Sequence, residues 1–157
     1  MAKTFEGTFA PLDGQVLVVA SRFNDLVVKE LVSGATDCLL RHGVPKEALD
    51  VAWVPGAAEL PLAAKVAAQS GRYEAVICLG AVIRGATGHY DVVVGNMASG
   101  SLQVGLEAGI PVILGVLTTD TIEQATERAG TKAGNKGFDA ALAALEMHSV
   151  LAQIAKG

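Results

Sequence analysis

Val16-Leu17-Val18-Val19-Ala20 is an unbroken apolar run, followed by Ser21-Arg22-Phe23-Asn24-Asp25 and then by a helical pattern. A strand buried on one face alternates polar and apolar residues, whereas one buried on both faces reads as a continuous run. Asn24 or Asp25 supplies a helix cap, Leu31, Ala35 and Leu39 recur at helical spacing, and Gly43 after His42 supplies a stop. A doubly buried strand feeding a helix is the first half of a βαβ unit, and it decides how the rest of the chain is read.

The same pattern recurs downstream. Asp50–Val54 reads as a second strand broken by Pro55-Gly56, and Ala57 to about Ser70 as a helix. Ala75–Leu79 is a third strand, closing at Gly80-Ala81-Val82, with a helix from about Tyr90 to Ala108. Pro111–Leu117 is a fourth strand, followed by a short helix from Thr121 to about Ala129 and a long one from Asn135 to Lys156. Regular alternation of this kind gives a parallel sheet with helices on both faces. The expected fold is α/β, a flavodoxin-like three-layer α/β/α sandwich on a four-stranded parallel sheet. Residues 1–12 stand outside the alternation and are expected as an extra edge strand, on this subunit or a neighbour, at a subunit interface. Trp53, within a strand, reads as core.

The 157 residues suit one domain spanning 1–157. Hydrophobic residues make up 51% and charged residues 18%, which is low against a usual ~25% and excludes intrinsic disorder. No apolar run approaches the ~20 residues of a membrane span, so a mean hydropathy of +0.43 points to surface buried between subunits. A net charge of −4 gives no overall field for nucleic acid. Cys38 and Cys78 lie in apolar surroundings without metal-ligand spacing, so they read as buried free thiols and zinc is not expected. Met1–Glu6 contains no apolar signal core, and a cytoplasmic protein is expected.

In open α/β sheets ligands bind beyond the carboxyl ends of the strands. The segments that fall there are Ser21–Asn24, Pro55–Glu59, Arg84–His89 and Thr118–Asp120. Phe23 beside Asn24 suits a flat heterocycle, although it also fits a core position. Gly85-Ala86-Thr87-Gly88 ahead of a helix leaves backbone N–H groups free for a phosphate, or is simply a tight βα turn. Arg128, Lys132 and Lys136 supply matching positive charge, or form an ordinary solvated loop. His89, directly after the loop, is placed to give and take protons, with Asp91 two residues on to orient it; a plain surface histidine is the competing reading. His42 and His148 read as structural.

Four motifs now stand in order: Arg22-Phe23-Asn24, Val54–Pro61 (VPGAAELP), Gly80–Asp91 (GAVIRGATGHYD) and Glu127–Gly137 (ERAGTKAGNKG). Together they closely resemble the 6,7-dimethyl-8-ribityllumazine synthase family of riboflavin biosynthesis, from about residue 4 to 155. The resemblance implies a transferase that condenses 5-amino-6-(ribitylamino)uracil with 3,4-dihydroxy-2-butanone 4-phosphate, without cofactor or metal. It implies that Phe23 stacks on the pyrimidine with Asn24 beside it. Gly56, Ala57, Ala58 and Glu59 hold the ribityl chain, and Ala81, Val82 and Ile83 line the ring pocket. Gly85, Ala86 and Thr87 approach the phosphate, and His89 shuttles protons. A neighbouring subunit contributes Leu114, the phosphate-binding Arg128, and Lys136. The implied assembly is a homopentamer, with twelve pentamers forming a 60-subunit icosahedral shell in some members, and riboflavin synthase as an associated partner.

Departures from the family pattern accompany the likeness. Leu114 stands where the family commonly has Phe, Val92 where many relatives have an aromatic, and Asn96 near a common Glu. They open a competing expectation: a shell-forming or redesigned scaffold protein on the same fold, with weakened or no catalysis.

Overall fold

The computed structural model describes residues 2–157. Strands β1 (Gln15–Ser21), β2 (Leu49–Val54), β3 (Tyr73–Ile83) and β4 (Val112–Thr119) form one sheet in the order β2-β1-β3-β4, and every neighbouring pair is parallel. Helices α1 (Asp25–Arg41), α2 (Leu60–Gln69), α3 (His89–Ala108), α4 (Ile122–Glu127) and α5 (Lys136–Lys156) complete the chain, with a short hairpin, β5 (Ala129–Thr131) and β6 (Gly134–Asn135), between the last two. The four-stranded α/β sandwich expected from the alternation is present.

The period of two along a strand divides the interior into two clusters. Val16, Val18 and Ala20 of β1, with Ala75, Ile77 and Leu79 of β3, pack against α1 and α5. Leu17 and Val19, with Val76 and Cys78, pack on the opposite face against α2 and α3. The central strands are therefore covered twice, which is why their sequences are uninterrupted. Helices α1 and α5 meet backbone to backbone: a Cβ on Gly137 would collide with the Leu31 carbonyl. Asn135 pins this contact, since Oδ1 accepts from Phe138 N–H at 3.0 Å and Nδ2 donates to Glu30 O at 2.9 Å.

Three expectations need correction. Trp53 is 38% exposed and not core, because β2 is an edge strand and Ala52 and Val54 take the positions packed toward α2. Residues 2–12 form no strand in this chain, which overturns the placement on this subunit and leaves that on a neighbour. They run along α5, where Ser149 Oγ accepts from Thr8 N–H at 3.0 Å and Gln153 Nε2 donates to Glu6 O at 2.6 Å; Met1 lies outside the described residues. Strand β3 continues to Ile83, since Gly80–Ile83 pair with Val116–Thr119. Cys38 and Cys78 are free and buried as expected, and burial pushes the thiols up to about 11 and about 12 respectively, with Asp37 and Asp139 adding to the first. No described helix is long and apolar enough to cross a membrane.

Candidate active site

In the order β2-β1-β3-β4 the chain reverses direction of travel across the sheet between β1 and β3. Their carboxyl ends splay the following loops apart and leave a crevice. A cavity of about 440 Å³ occupies it.

Its first wall comes from the turn after β1. Arg22 N–H donates to Val54 O at 2.7 Å and Phe23 N–H to Pro55 O at 3.1 Å, so pairing with the β2 segment continues past the strand. Asn24 then takes a left-handed conformation, φ 63° and ψ 42°, which asparagine tolerates better than most residues. Its side chain does not cap α1 as the sequence implied. Nδ2 instead crosses the crevice and donates to Ala81 O on β3 at 2.9 Å. This turn leaves Phe23 73% exposed at the cavity wall, which removes it from the core.

The second wall is the turn after β2. Ala57–Glu59 form a single 3-10 turn ahead of α2, with Glu59 N–H donating to Gly56 O at 3.1 Å. Gly56, Ala57, Ala58 and Glu59 all line the cavity. A Cβ on Gly56 would lie 3.2 Å from Glu59 Oε1, so the glycine leaves the carboxylate its place. A carboxylate there accepts hydrogen bonds from hydroxyl groups.

The third wall is the end of β3 and the loop to α3. Ala81, Val82 and Ile83 line the cavity, as do Gly85, Thr87 and His89. Ala86 belongs to the same exposed loop but is not part of the wall. His89 opens α3, and its N–H points to Thr87 Oγ1 at 3.4 Å. Asp91 does not orient His89: its carboxylate faces Arg84 Nη1 at 3.6 Å. Arg84 is held above its ordinary pKa first by the hydrogen bond to Asp120, with Asp91 adding to it.

Pro55, which sequence reading placed at the ligand-binding edge without a role, and Tyr90 and Val93, which it missed, also line the cavity. Val93 follows His89 by four residues, so helical spacing from the histidine would have found it; Tyr90, the next residue, lies outside that spacing. Three expected residues are not in this cavity. Leu114 lies on edge strand β4, half-buried beside the α2/α3 cluster. Arg128 Nη1 donates to Gln124 O at 3.0 Å, and Lys136 is exposed at the start of α5. Arg128 and Lys136 are neighbours of one another: Lys136 N–H donates to Arg128 O at 2.9 Å, and a Cβ on Gly115 of β4 would lie 3.5 Å from Lys136 O, whereas Leu114, one residue earlier on the strand, faces the opposite side of the sheet. The chain thus carries a cavity at the crevice and a separate cationic group beside β4. Among the described residues no group of three or more His, Cys, Asp or Glu is placed to hold a metal.

Comparison with known proteins fits this geometry. The family model for 6,7-dimethyl-8-ribityllumazine synthase matches residues 13–152. A protein of Prosthecochloris aestuarii (strain DSM 271 / SK 413), named 6,7-dimethyl-8-ribityllumazine synthase, is 57% identical over 152 residues, covering 97% of this chain and 98% of that protein. Neither match favours the scaffold expectation.

Proposed function

The chain belongs to the 6,7-dimethyl-8-ribityllumazine synthase family, transferases of riboflavin biosynthesis, and from that membership we propose that it condenses 5-amino-6-(ribitylamino)uracil with 3,4-dihydroxy-2-butanone 4-phosphate. The observation that carries the reading is one cavity in which three separate loops bring together Phe23, Glu59 and His89. Its volume of about 440 Å³ suits a small molecule, for which pockets run ~300–1,000 Å³.

In this reading Phe23 stacks on the pyrimidine and Asn24 holds the turn that presents it. Glu59 accepts hydrogen bonds from the ribityl hydroxyls, with Gly56, Ala57 and Ala58 allowing the chain to lie close. Ala81, Val82 and Ile83 form the apolar seat of the ring. The Gly85-Ala86-Thr87 loop at the start of α3 meets the phosphate with backbone N–H groups. The primary amine of the uracil attacks the ketone and loses water to form an imine. Phosphate then leaves, the product tautomerises, and the second nitrogen closes the ring with loss of a second water. The sequence is redox-neutral. Each step moves a proton between carbon, nitrogen and oxygen, a task for one imidazole near the reacting atoms, which this reading gives to His89 in the cavity wall. Much of the acceleration comes from holding two reactants together.

The cationic group beside β4 supports a site completed by a neighbour. Arg128, Lys136 and Leu114 serve the crevice of the next subunit in a head-to-tail ring. Exposed apolar residues on α2 and α3, among them Leu62, Val66, Leu102 and Leu106, fit burial in a homopentamer. The short turn through β5 and β6 favours members that build shells from pentamers. The test is direct: the two substrates and purified protein should give the absorbance of the lumazine with release of phosphate. No lumazine from correctly assembled protein refutes the proposal.

A further inference from the structure

The loop between Ile83 and His89 has little of its own to hold it. Gly85, Ala86, Thr87 and Gly88 are all exposed, and a Cβ on Gly85 or Gly88 would meet open space. Yet this loop approaches the phosphate in the reading above and delivers His89 to the cavity. Arg84 spans it. The Arg84 N–H donates to Thr119 O at 2.8 Å, adding a rung to the β3–β4 ladder. The side chain then crosses to the far end of the loop, where Cζ lies 4.2 Å from the Tyr90 ring centroid and Nη1 lies 3.6 Å from Asp91 Oδ1. Nε donates to Asp120 Oδ1 at 3.0 Å. Asp120 is itself held, since its N–H donates to Gln124 Oε1 at 2.8 Å. The residue before the loop is fastened to the residues after it and to the end of β4.

We infer that Arg84 is a positioning residue, a clamp that fixes the 85–88 loop and His89 by stacking on Tyr90 and pairing with Asp120. The inference rests on the proposed function for what the loop binds, but not for how the loop is held. Two carboxylates, Asp91 and Asp120, already face the guanidinium, so it is not a free cation awaiting phosphate. A guanidinium seated over an aromatic ring while its Nε donates to a carboxylate uses the fork geometry of arginine, which lysine lacks. Exposed ion pairs add little to global stability, so loss of the clamp loosens the loop and spares the fold.

The test compares Arg84→Met, Arg84→Lys and Asp120→Asn with the unmodified protein. Each substrate is titrated separately, and backbone hydrogen exchange is followed at Val92–Val94, whose N–H groups close the first turn of α3. Arg84→Met should raise KM for the butanone phosphate about tenfold and lower kcat, within the range expected when a site is slightly misplaced. KM for the ribitylaminouracil should stay within about twofold, the melting temperature should hold, and exchange at Val92–Val94 should quicken. Arg84→Lys should recover little, and Arg84→Met combined with Asp120→Asn should be no worse than Arg84→Met alone. Full recovery by lysine would assign Arg84 a charge role and overturn the clamp. Unchanged exchange in Arg84→Met would also overturn it. If the unmodified protein made no lumazine, the functional reading would fall, and the exchange data would still decide the clamp.

Discussion

Asn24 offers the sharpest test of how the site is built, because two separable terms meet in one residue. Its left-handed backbone, φ 63°, favours glycine, and its side chain spans β1 and β3 through the 2.9 Å bond to Ala81 O. Asn24→Gly removes the bond, about 0.5–1.5 kcal/mol, and relieves backbone strain while adding freedom to the unfolded chain. Asn24→Ala removes the same bond, keeps a Cβ in a conformation that costs L-residues roughly 1–2 kcal/mol, and loses the short polar side chain by which asparagine tolerates it. The expected losses are about 1 kcal/mol for glycine and about 2 kcal/mol for alanine. In a chain of this size those correspond to melting temperatures lower by roughly 2–4 °C and 4–8 °C, compared at one scan rate and one protein concentration. Both variants should raise KM for the ribitylaminouracil, since Phe23 stands on the same turn. If alanine were as stable as glycine, the left-handed turn would not be what holds Phe23 at the wall. If glycine kept the normal KM, the bridge to β3 would have no part in the site.

Three further outcomes are expected. His89→Ala should lower turnover roughly ten- to a hundredfold, at or below the usual range for acid–base catalysis, with little change in ribitylaminouracil binding; unchanged turnover removes His89 from the mechanism. Co-refolding His89→Ala and Arg128→Ala chains, each taken as nearly inactive for this test, should raise activity above either parent to about a quarter of normal, because a ring interface is intact only when both residues come from the right parents. Hybrid rings of confirmed mass that stay inactive would place the site within one chain. Cys38 and Cys78 have thiols raised to about 11 and about 12, so below the unfolded value both states are protonated and pH has no effect through them. As pH rises above about 9 the unfolded thiols ionise first, and stability should fall toward pH 11. A Cys38→Ala/Cys78→Ala variant should show a smaller fall in melting temperature over that range.

The parts of the fold legible in the sequence are those fixed by near neighbours. The run Val16–Ala20 disclosed the doubly covered strand β1, and Pro55-Gly56 disclosed the end of β2, because each signal lies within a few residues of its effect. What stayed hidden depends on partners far along the chain. Strand β3 extends to Ile83 because β4 is there to pair with it, and Trp53 is exposed because β2 has a neighbour on one side only. Asn24 looked like a helix cap, since capping is the local use of such a side chain, but its partner is Ala81 on another strand. Asp91 looked like an aid to His89 by proximity in sequence, whereas helix α3 turns it toward Arg84. The site obeys the same division. The motifs gave Phe23, Glu59 and His89 together with Arg128 and Lys136, and only the family resemblance, not their spacing, assigned the last two to a neighbouring subunit. In space the first three converge on the crevice and the last two stand beside β4. The crevice and the β4 edge lie apart in one chain, and the head-to-tail ring proposed above is the arrangement that would bring the cations of one copy to the crevice of the next. In that proposal a phosphorylated substrate is held by two chains at once, and activity requires assembly.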